Sequence, residues 1–193
     1  MGNPAFAIPT LKAIMQSNHE LVAVVSNPPK QIGRGRSLSY TPVGKFSKEN
    51  AISLIEPQNL FSDELKSKLN ILKPDIFIVV AYKILPDSII AIPKYGALNL
   101  HASLLPKYRG AGPIQWALMN GDKKSGVTIF QIKPKVDTGD ILMQKEVDIF
   151  NEDNMLSLGN RLCEHGANMM IEVLNTIEEE GQVSGIRQNS KLA

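Results

Sequence analysis

The chain has 193 residues, with 21 Lys and Arg against 19 Asp and Glu, a formal charge of +2, 43% hydrophobic residues and 21% charged residues. These proportions exclude a histone-like polycation and a highly charged disordered chain, so a nucleic-acid partner needs a local basic patch, not a global field. One cysteine, Cys163, excludes an intrachain disulfide framework and a cysteine-cluster zinc site, and favours a reducing compartment. A chain of this size removes roughly 70% of its extended surface from water and can hold one core without staples. The longest apolar run, residues 76–82, has the length of a strand, well short of a membrane span. No basic flank followed by an apolar stretch marks a signal peptide at the start.

In chain order, residues 4–17 read as a helix, with proline in the first turn and Phe6, Leu11, Ile14 and Met15 at helical spacing. Residues 21–26 read as a buried strand, and residues 27–41 as a loop too rich in Pro, Gly and Ser for an element. A helix over 42–50 leads to a short strand at 52–55, and Ser62 caps a helix that ends before Pro74. Residues 76–81 are apolar at every position, the pattern of a parallel strand covered on both faces. A strand at 97–101, a helix at 113–120, strands at 126–132 and 141–147, and a long helix over 154–180 complete the pass. Alternation of this kind predicts an α/β fold with a doubly wound, mostly parallel sheet. The opening Met-Gly-Asn-Pro runs straight into a helix, as the turn after a first central strand would.

The densest reactive chemistry lies in residues 99–110, NLHASLLPKYRG. Alternation along a strand puts Asn99 and His101 on one side, and Leu98 and Leu100 on the other. Asp137, in the turn after the strand over 126–132, can reach His101 if that strand neighbours the one over 97–101. An imidazole held by a carboxylate beside an amide suits acyl transfer: His moves protons, the carboxylate fixes its tautomer, and Asn stabilises an oxyanion. On composition alone, Asp137 and Asp140 read as turn formers. Cys163 reads as helix packing, and His19 and His165 as non-catalytic.

Other motifs fall away. Asp137-Thr138-Gly139 matches an aspartic-protease triplet, but those enzymes are all-β and need a second carboxylate loop. Gly33-Arg34-Gly35-Arg36 lacks the third glycine and the preceding strand of a dinucleotide fingerprint. Neither a Walker sequence nor HExxH occurs, so no metal is expected. Residues 30–48 carry Lys30, Arg34, Arg36, Lys45 and Lys48 with no acid, a plausible contact for an RNA backbone or else a solvated surface loop.

The run NLHASLLPKYRGAG (99–112), with Pro113-Ile114-Gln115, Gly121-Asp122, Gly126-Val127-Thr128-Ile129 and Asp137-Thr138-Gly139-Asp140, resembles the folate-dependent formyltransferases. Within that superfamily, the opening MGNPAFAIP and the Gly-Arg-Gly-Arg loop followed by Thr41-Pro42-Val43 are similar to the branch that formylates methionyl initiator tRNA. The resemblance implies a Rossmann-like formyltransferase fold and a formyl transfer from 10-formyltetrahydrofolate to the methionyl α-amino group. It implies catalytic roles for Asn99, His101 and Asp137. It also implies a folate site from Ser103, Leu104, Leu105 and Pro106, from Ala81, Tyr82, Ile84 and Leu85, and from Thr138, Gly139 and Asp140. The initiator tRNA is expected at Lys30, Arg34, Arg36 and Lys45. Lys83 stands where the family has Gly, which predicts strain if the backbone there has positive φ.

Against the family pattern, residues 1–185 read as a catalytic domain short of its first central strand, and 186–193 as the start of a linker to a further domain. The expected setting is a monomer in the bacterial cytoplasm, or in an organellar matrix, with no membrane partner. The alternatives are a truncated folate- or RNA-binding remnant without activity, and a sugar-nucleotide formyltransferase.

Overall fold

The computed structural model describes residues 1–32 and 37–192. A 3-10 turn, Ala5–Ala7, runs into helix α1 (Ile8–Gln16), and strands β1 (Val24–Val25), β2 (Lys30–Ile32) and β3 (Ser37–Ser39) follow. Next come α2 (Pro42–Glu49), β4 (Leu54–Ile55), α3 (Asp63–Leu72), β5 (Phe77–Val80), α4 (Asp87–Ile90), β6 (Ala97–His101) and α5 (Pro113–Met119). Strands β7 (Lys124–Gln131) and β8 (Ile141–Asp148) lead to the long helix α6 (Met155–Glu180).

The α/β alternation holds, but the sheet is neither single nor mostly parallel. One four-stranded sheet has the order β5-β6-β7-β8, in which only β5 and β6 are parallel. A separate parallel pair joins β1 to β4. Met1 and Gly2 lie between the two: the Gly2 N–H donates to Val25 O at 3.0 Å, and the Val80 N–H donates to Met1 O at 2.9 Å. The expected strand over 21–26 shortens to β1, beside a cavity of about 420 Å³ bordered by Leu11, Ile14, Val22, Val24, Ile76 and Ile78. The buried Met1 amine donates to Ile78 O at 2.5 Å, and burial pushes its pKa down to about 5.

The segment expected to be a plain loop, 27–41, instead forms an antiparallel ribbon of β2 and β3, with Lys30 opposite Ser39 and Gln31 opposite Leu38. Strand pairing here overrides a Pro- and Ser-rich composition, because backbone pairing needs no particular side chains. The Gly-Arg-Gly-Arg motif itself, residues 33–36, lies outside the described residues.

Helix ends follow their local chemistry. The Ser62 side chain accepts from the Leu65 N–H, and α3 stops at Lys73 in the left-handed region just before Pro74. Asn154 and Ser157 form a capping box on α6, and Gly181, at φ 67°, ends it. On one face α6 buries Leu158, Leu162, Met169, Met170 and Leu174 against Leu98, Leu100, Val127 and Ile129. A Cβ on Gly166 would come within 2.6 Å of Leu100, so the helix approaches β6 closely only because that position is bare. A second cluster, Leu65, Leu69, Phe77, Val79, Ile89 and Ala97, covers the opposite face. Asn99 and His101 continue along that second face, past the cover of α3 and α4.

Candidate active site

His101 is 7% exposed and ends β6. Its Nε2 lies 2.8 Å from Tyr108 O, and a carbonyl can only accept, so Nε2 carries the proton. Nδ1 is then the free edge, and it faces Asp137 Oδ2 at 3.7 Å. In the neutral ring that edge is a lone pair, and in the imidazolium it is a second donor toward a carboxylate. The Phe130 ring packs edge-on to the imidazole, with centroids 6.5 Å apart and planes at 81°.

Asp137 reaches this position by a fold-back. Strands β6 and β7 are antiparallel, with Leu98 opposite Gln131, so the end of β7 points away from His101. The turn after β7 then lies back over its own strand. A Cβ on Gly139 would sit 1.5 Å from Gln131 O, a close approach that only glycine permits. Asp137 has a φ of 50°, and its Oδ2 accepts from the Gly110 N–H at 2.8 Å. The carboxylate thus caps the same short loop whose Tyr108 carbonyl holds the other side of the imidazole.

Asn99, His101 and Asp137 all border one cavity of about 770 Å³. The Asn99 Oδ1 is buried without a hydrogen-bond partner, as is the Tyr82 hydroxyl on the same cavity wall. An unpaired buried acceptor costs about 1–3 kcal/mol, so a partner supplied to either group would be stabilising. Burial raises the Tyr82 pKa to about 12, which keeps the phenol protonated and a donor.

Of the folate-site residues expected from resemblance, Ala81, Tyr82, Ile84 and Leu85 line this cavity. Ser103, Leu104, Leu105 and Pro106 do not, because the loop is bound to the sheet instead. Thr128 Oγ1 donates to Ser103 O at 2.6 Å and accepts from the Leu105 N–H at 3.2 Å, and Gln144 Nε2 donates to Leu105 O at 3.0 Å. Thr138, Gly139 and Asp140 also stand off the cavity wall, since the fold-back turns Val136 and Asp137 toward it. Asp140 pairs instead with Lys133 Nζ at 2.6 Å. The strain expected at Lys83 is absent there and sits two residues earlier, at Ala81, where φ is 48°. Of the basic loop, Lys30 is exposed on β2, and Lys45 pairs with Glu49 at 3.8 Å on an exposed helix face. Arg34 and Arg36 fall outside the described residues.

Comparison with known proteins shows the family and the fold. The family described as "Formyl transferase" matches residues 1–174. The chain belongs to the formyl transferase family. It is 40% identical over 193 residues to "Methionyl-tRNA formyltransferase" of Fusobacterium nucleatum, covering 100% of this chain and 62% of that relative. This formyl transferase chain therefore spans less than two thirds of that relative's length. Phosphoribosylglycinamide formyltransferase from Streptococcus pneumoniae superposes with a TM-score of 0.74 at 20% identity, over 91% of this chain and 95% of that one, which establishes the fold. The formyltransferase PseJ from Anoxybacillus kamchatkensis, solved with UDP-4,6-dideoxy-4-formamido-L-AltNAc and tetrahydrofolate, has a TM-score of 0.59 at 28% identity over 76% of each chain.

Three parts of the formyl transferase site escaped the reading of the sequence. The first turns of α6 bring Met155, Leu156, Gly159, Asn160 and Cys163 to the cavity. The small residues Gly159, Cys163 and Gly166, four and three apart, mark a close-packed helix face and were a usable signal. Asp122 anchors the 107–109 loop, accepting from Lys107 Nζ and from the Tyr108 hydroxyl, each at 2.8 Å. Gln188, beyond α6, reaches the Asp137 turn, a contact that no local pattern announces.

Proposed function

We propose that this chain carries the catalytic machinery that transfers a formyl group from 10-formyltetrahydrofolate to the α-amino group of methionyl initiator tRNA. The observation that carries the reading is the convergence of Asn99, His101 and Asp137 on one cavity, in a formyl transferase 40% identical to a relative of that name. The cavity suits a folate: about 770 Å³ lies in the range of sites that enclose a drug-sized ligand. Its wall is apolar around Leu85, Ile90 and Phe130, with two unsatisfied polar groups, Asn99 and Tyr82, to orient a heterocycle.

When bound, the folate supplies a formyl group activated on an amine nitrogen. The chain's own part is positional and electrostatic. Asn99, whose amide can present either end to the cavity, and His101 face the place where negative charge develops on the formyl oxygen. Asp137, held by Gly110, faces the Nδ1 edge of the imidazole and orients the ring. The incoming amine must lose a proton and the departing nitrogen must gain one, and the His101–Asp137 pair is the titratable set beside both. Of the basic loop, exposed Lys30 and Lys45 are available to tRNA phosphates, and Arg34 and Arg36 are assigned the same role.

The test is formyl transfer to methionyl-tRNA by the protein that carries this chain. Each of Asn99→Ala, His101→Ala and Asp137→Ala is expected to lower kcat by about 10²–10⁴-fold. Wild-type rates in all three, or transfer to a nucleotide amino sugar but not to charged tRNA, would overturn the assignment.

A further inference from the structure

Beyond α6 the chain turns back toward β8, where the Ile141 and Ile186 backbones exchange hydrogen bonds, each 2.8 Å long. Gly185 makes this approach possible, because a Cβ there would lie 2.9 Å from Asp140 Cβ. Three residues on, Gln188 is 7% exposed, and its side chain is fully used. Its Nε2 donates to Asp137 O at 2.9 Å and to Gly139 O at 2.8 Å. Its Oε1 accepts from Arg109 Nε at 3.1 Å and from a terminal guanidinium nitrogen of Arg109 at 2.7 Å.

These contacts tie together the two loops that hold the catalytic pair. Arg109 stands between Tyr108, whose carbonyl fixes His101 Nε2, and Gly110, whose N–H fixes Asp137 Oδ2. At its other end Gln188 grips the turn that carries Asp137, donating to the carbonyls of Asp137 and Gly139 on either side of Thr138. We infer that Gln188 is a positioning residue for formyl transfer, which sets the His101–Asp137 geometry through Asp137 and Arg109 without touching substrate. The inference rests on the reading of His101 and Asp137 given under Proposed function. It also extends the active site past residue 174, where the family match ends.

Gln188→Glu separates this role from mere tethering. The carboxylate keeps, and by charge strengthens, the contact to Arg109, but it loses both N–H bonds and opposes the carbonyls of Asp137 and Gly139. A tail that only anchors to Arg109 tolerates the change; a residue that sets the Asp137 turn does not. Both Gln188→Glu and Gln188→Ala are expected to lower kcat for formyl transfer about tenfold, with the folate KM within about twofold, as small misplacements of a catalytic group do.

A second readout does not depend on activity: the Gly110 amide, which donates to Asp137 Oδ2, should lose hydrogen-exchange protection by about tenfold in both variants. Wild-type kcat together with unchanged Gly110 protection in Gln188→Glu overturns the inference. If the parent protein transfers no formyl group, the assigned function fails, while the exchange measurement still decides whether Gln188 holds the turn.

Discussion

The four-stranded sheet and the separate β1–β4 pair mark two ends of the molecule, closed by different means. At the β6-β7-β8 end, Leu98, Val127, Ile129 and Leu162 are completely buried, and the 103–110 and 137–140 loops are tied by side chains to backbone: Thr128 to Ser103, Gln144 to Leu105, Asp137 to Gly110, and Gln188 to Asp137 and Gly139. At the other end, β1 and β4 pair over two residues each beside a cavity of about 420 Å³. Asn99, His101 and Asp137 are thus brought to one cavity without a regular parallel sheet. What brings them there is the irregular loops of the well-tied end, whose backbone groups are satisfied by polar side chains placed far away in sequence.

The substitution that breaks this contrast most severely is Gly139→Val. Its side chain would start 1.5 Å from Gln131 O, so the turn must lift and carry Asp137 from His101. A loss of kcat of about 10²-fold or more is expected, since a 1 Å misplacement can cost that much. Activity within a few-fold of wild type would show that the fold-back is dispensable. Next in size is a pair of stability measurements. Leu162→Ala, in the packed end, should cost about 4 kcal/mol by urea unfolding, whereas Leu11→Ala, which already borders the amino-terminal cavity, should cost about 2 kcal/mol because fewer contacts are lost. Equal costs would mean that the two ends are equally packed.

The same contrast explains what could be read in the sequence. Asn99 and His101 were legible because a strand's alternation is local: two residues apart means one face. Helix α3 was legible from its Ser62 cap, and the helix over 4–17, observed as the 3-10 turn and α1, from its apolar spacing. Asp137 was legible only on the condition that its strand lay beside β6. The condition holds, yet the strands run antiparallel and the aspartate arrives by folding back over Gln131, not from a shared carboxyl edge. The mostly parallel sheet was misjudged for the same reason, since strand direction is set by pairing between distant segments and leaves little trace in composition. The Ser103 to Pro106 loop follows His101 in sequence yet lies off the cavity wall, because Thr128 and Gln144 bind it to the sheet.

A smaller effect is expected at Asp122, whose hydrogen bond from Lys107 holds its carboxyl below the usual carboxylate range. With a lowered folded-state pKa, its contribution to stability is present above the ordinary carboxylate value and fades as pH falls through that range toward the lowered one. Asp122→Asn keeps an oxygen for the Tyr108 hydroxyl but loses the charge that Lys107 pairs with. The cost at neutral pH should stay under about 1 kcal/mol, because Lys107 is half exposed. Urea midpoints of wild type and variant should converge below about pH 4. A gap that widens on acidification contradicts the assigned sign.

The smallest effect concerns thiol reactivity, and it compares the two cavities directly. Cys163 is 5% exposed on the wall of the larger cavity, its Sγ donates to Asn160 O at 3.1 Å, and burial pushes its pKa up. Little thiolate is present at neutral pH, so labelling by a maleimide should run at least about tenfold slower than for the unfolded chain and accelerate with rising pH. In a Cys163→Ser background, the thiol introduced by Ala23→Cys borders the smaller cavity at a half-buried position and should label faster than Cys163. A folate should slow labelling of Cys163 and leave position 23 unaffected, because only the larger cavity joins Asn99, His101 and Asp137. Protection at position 23 instead would place the ligand in the loosely closed end and detach the cavity from the catalytic residues.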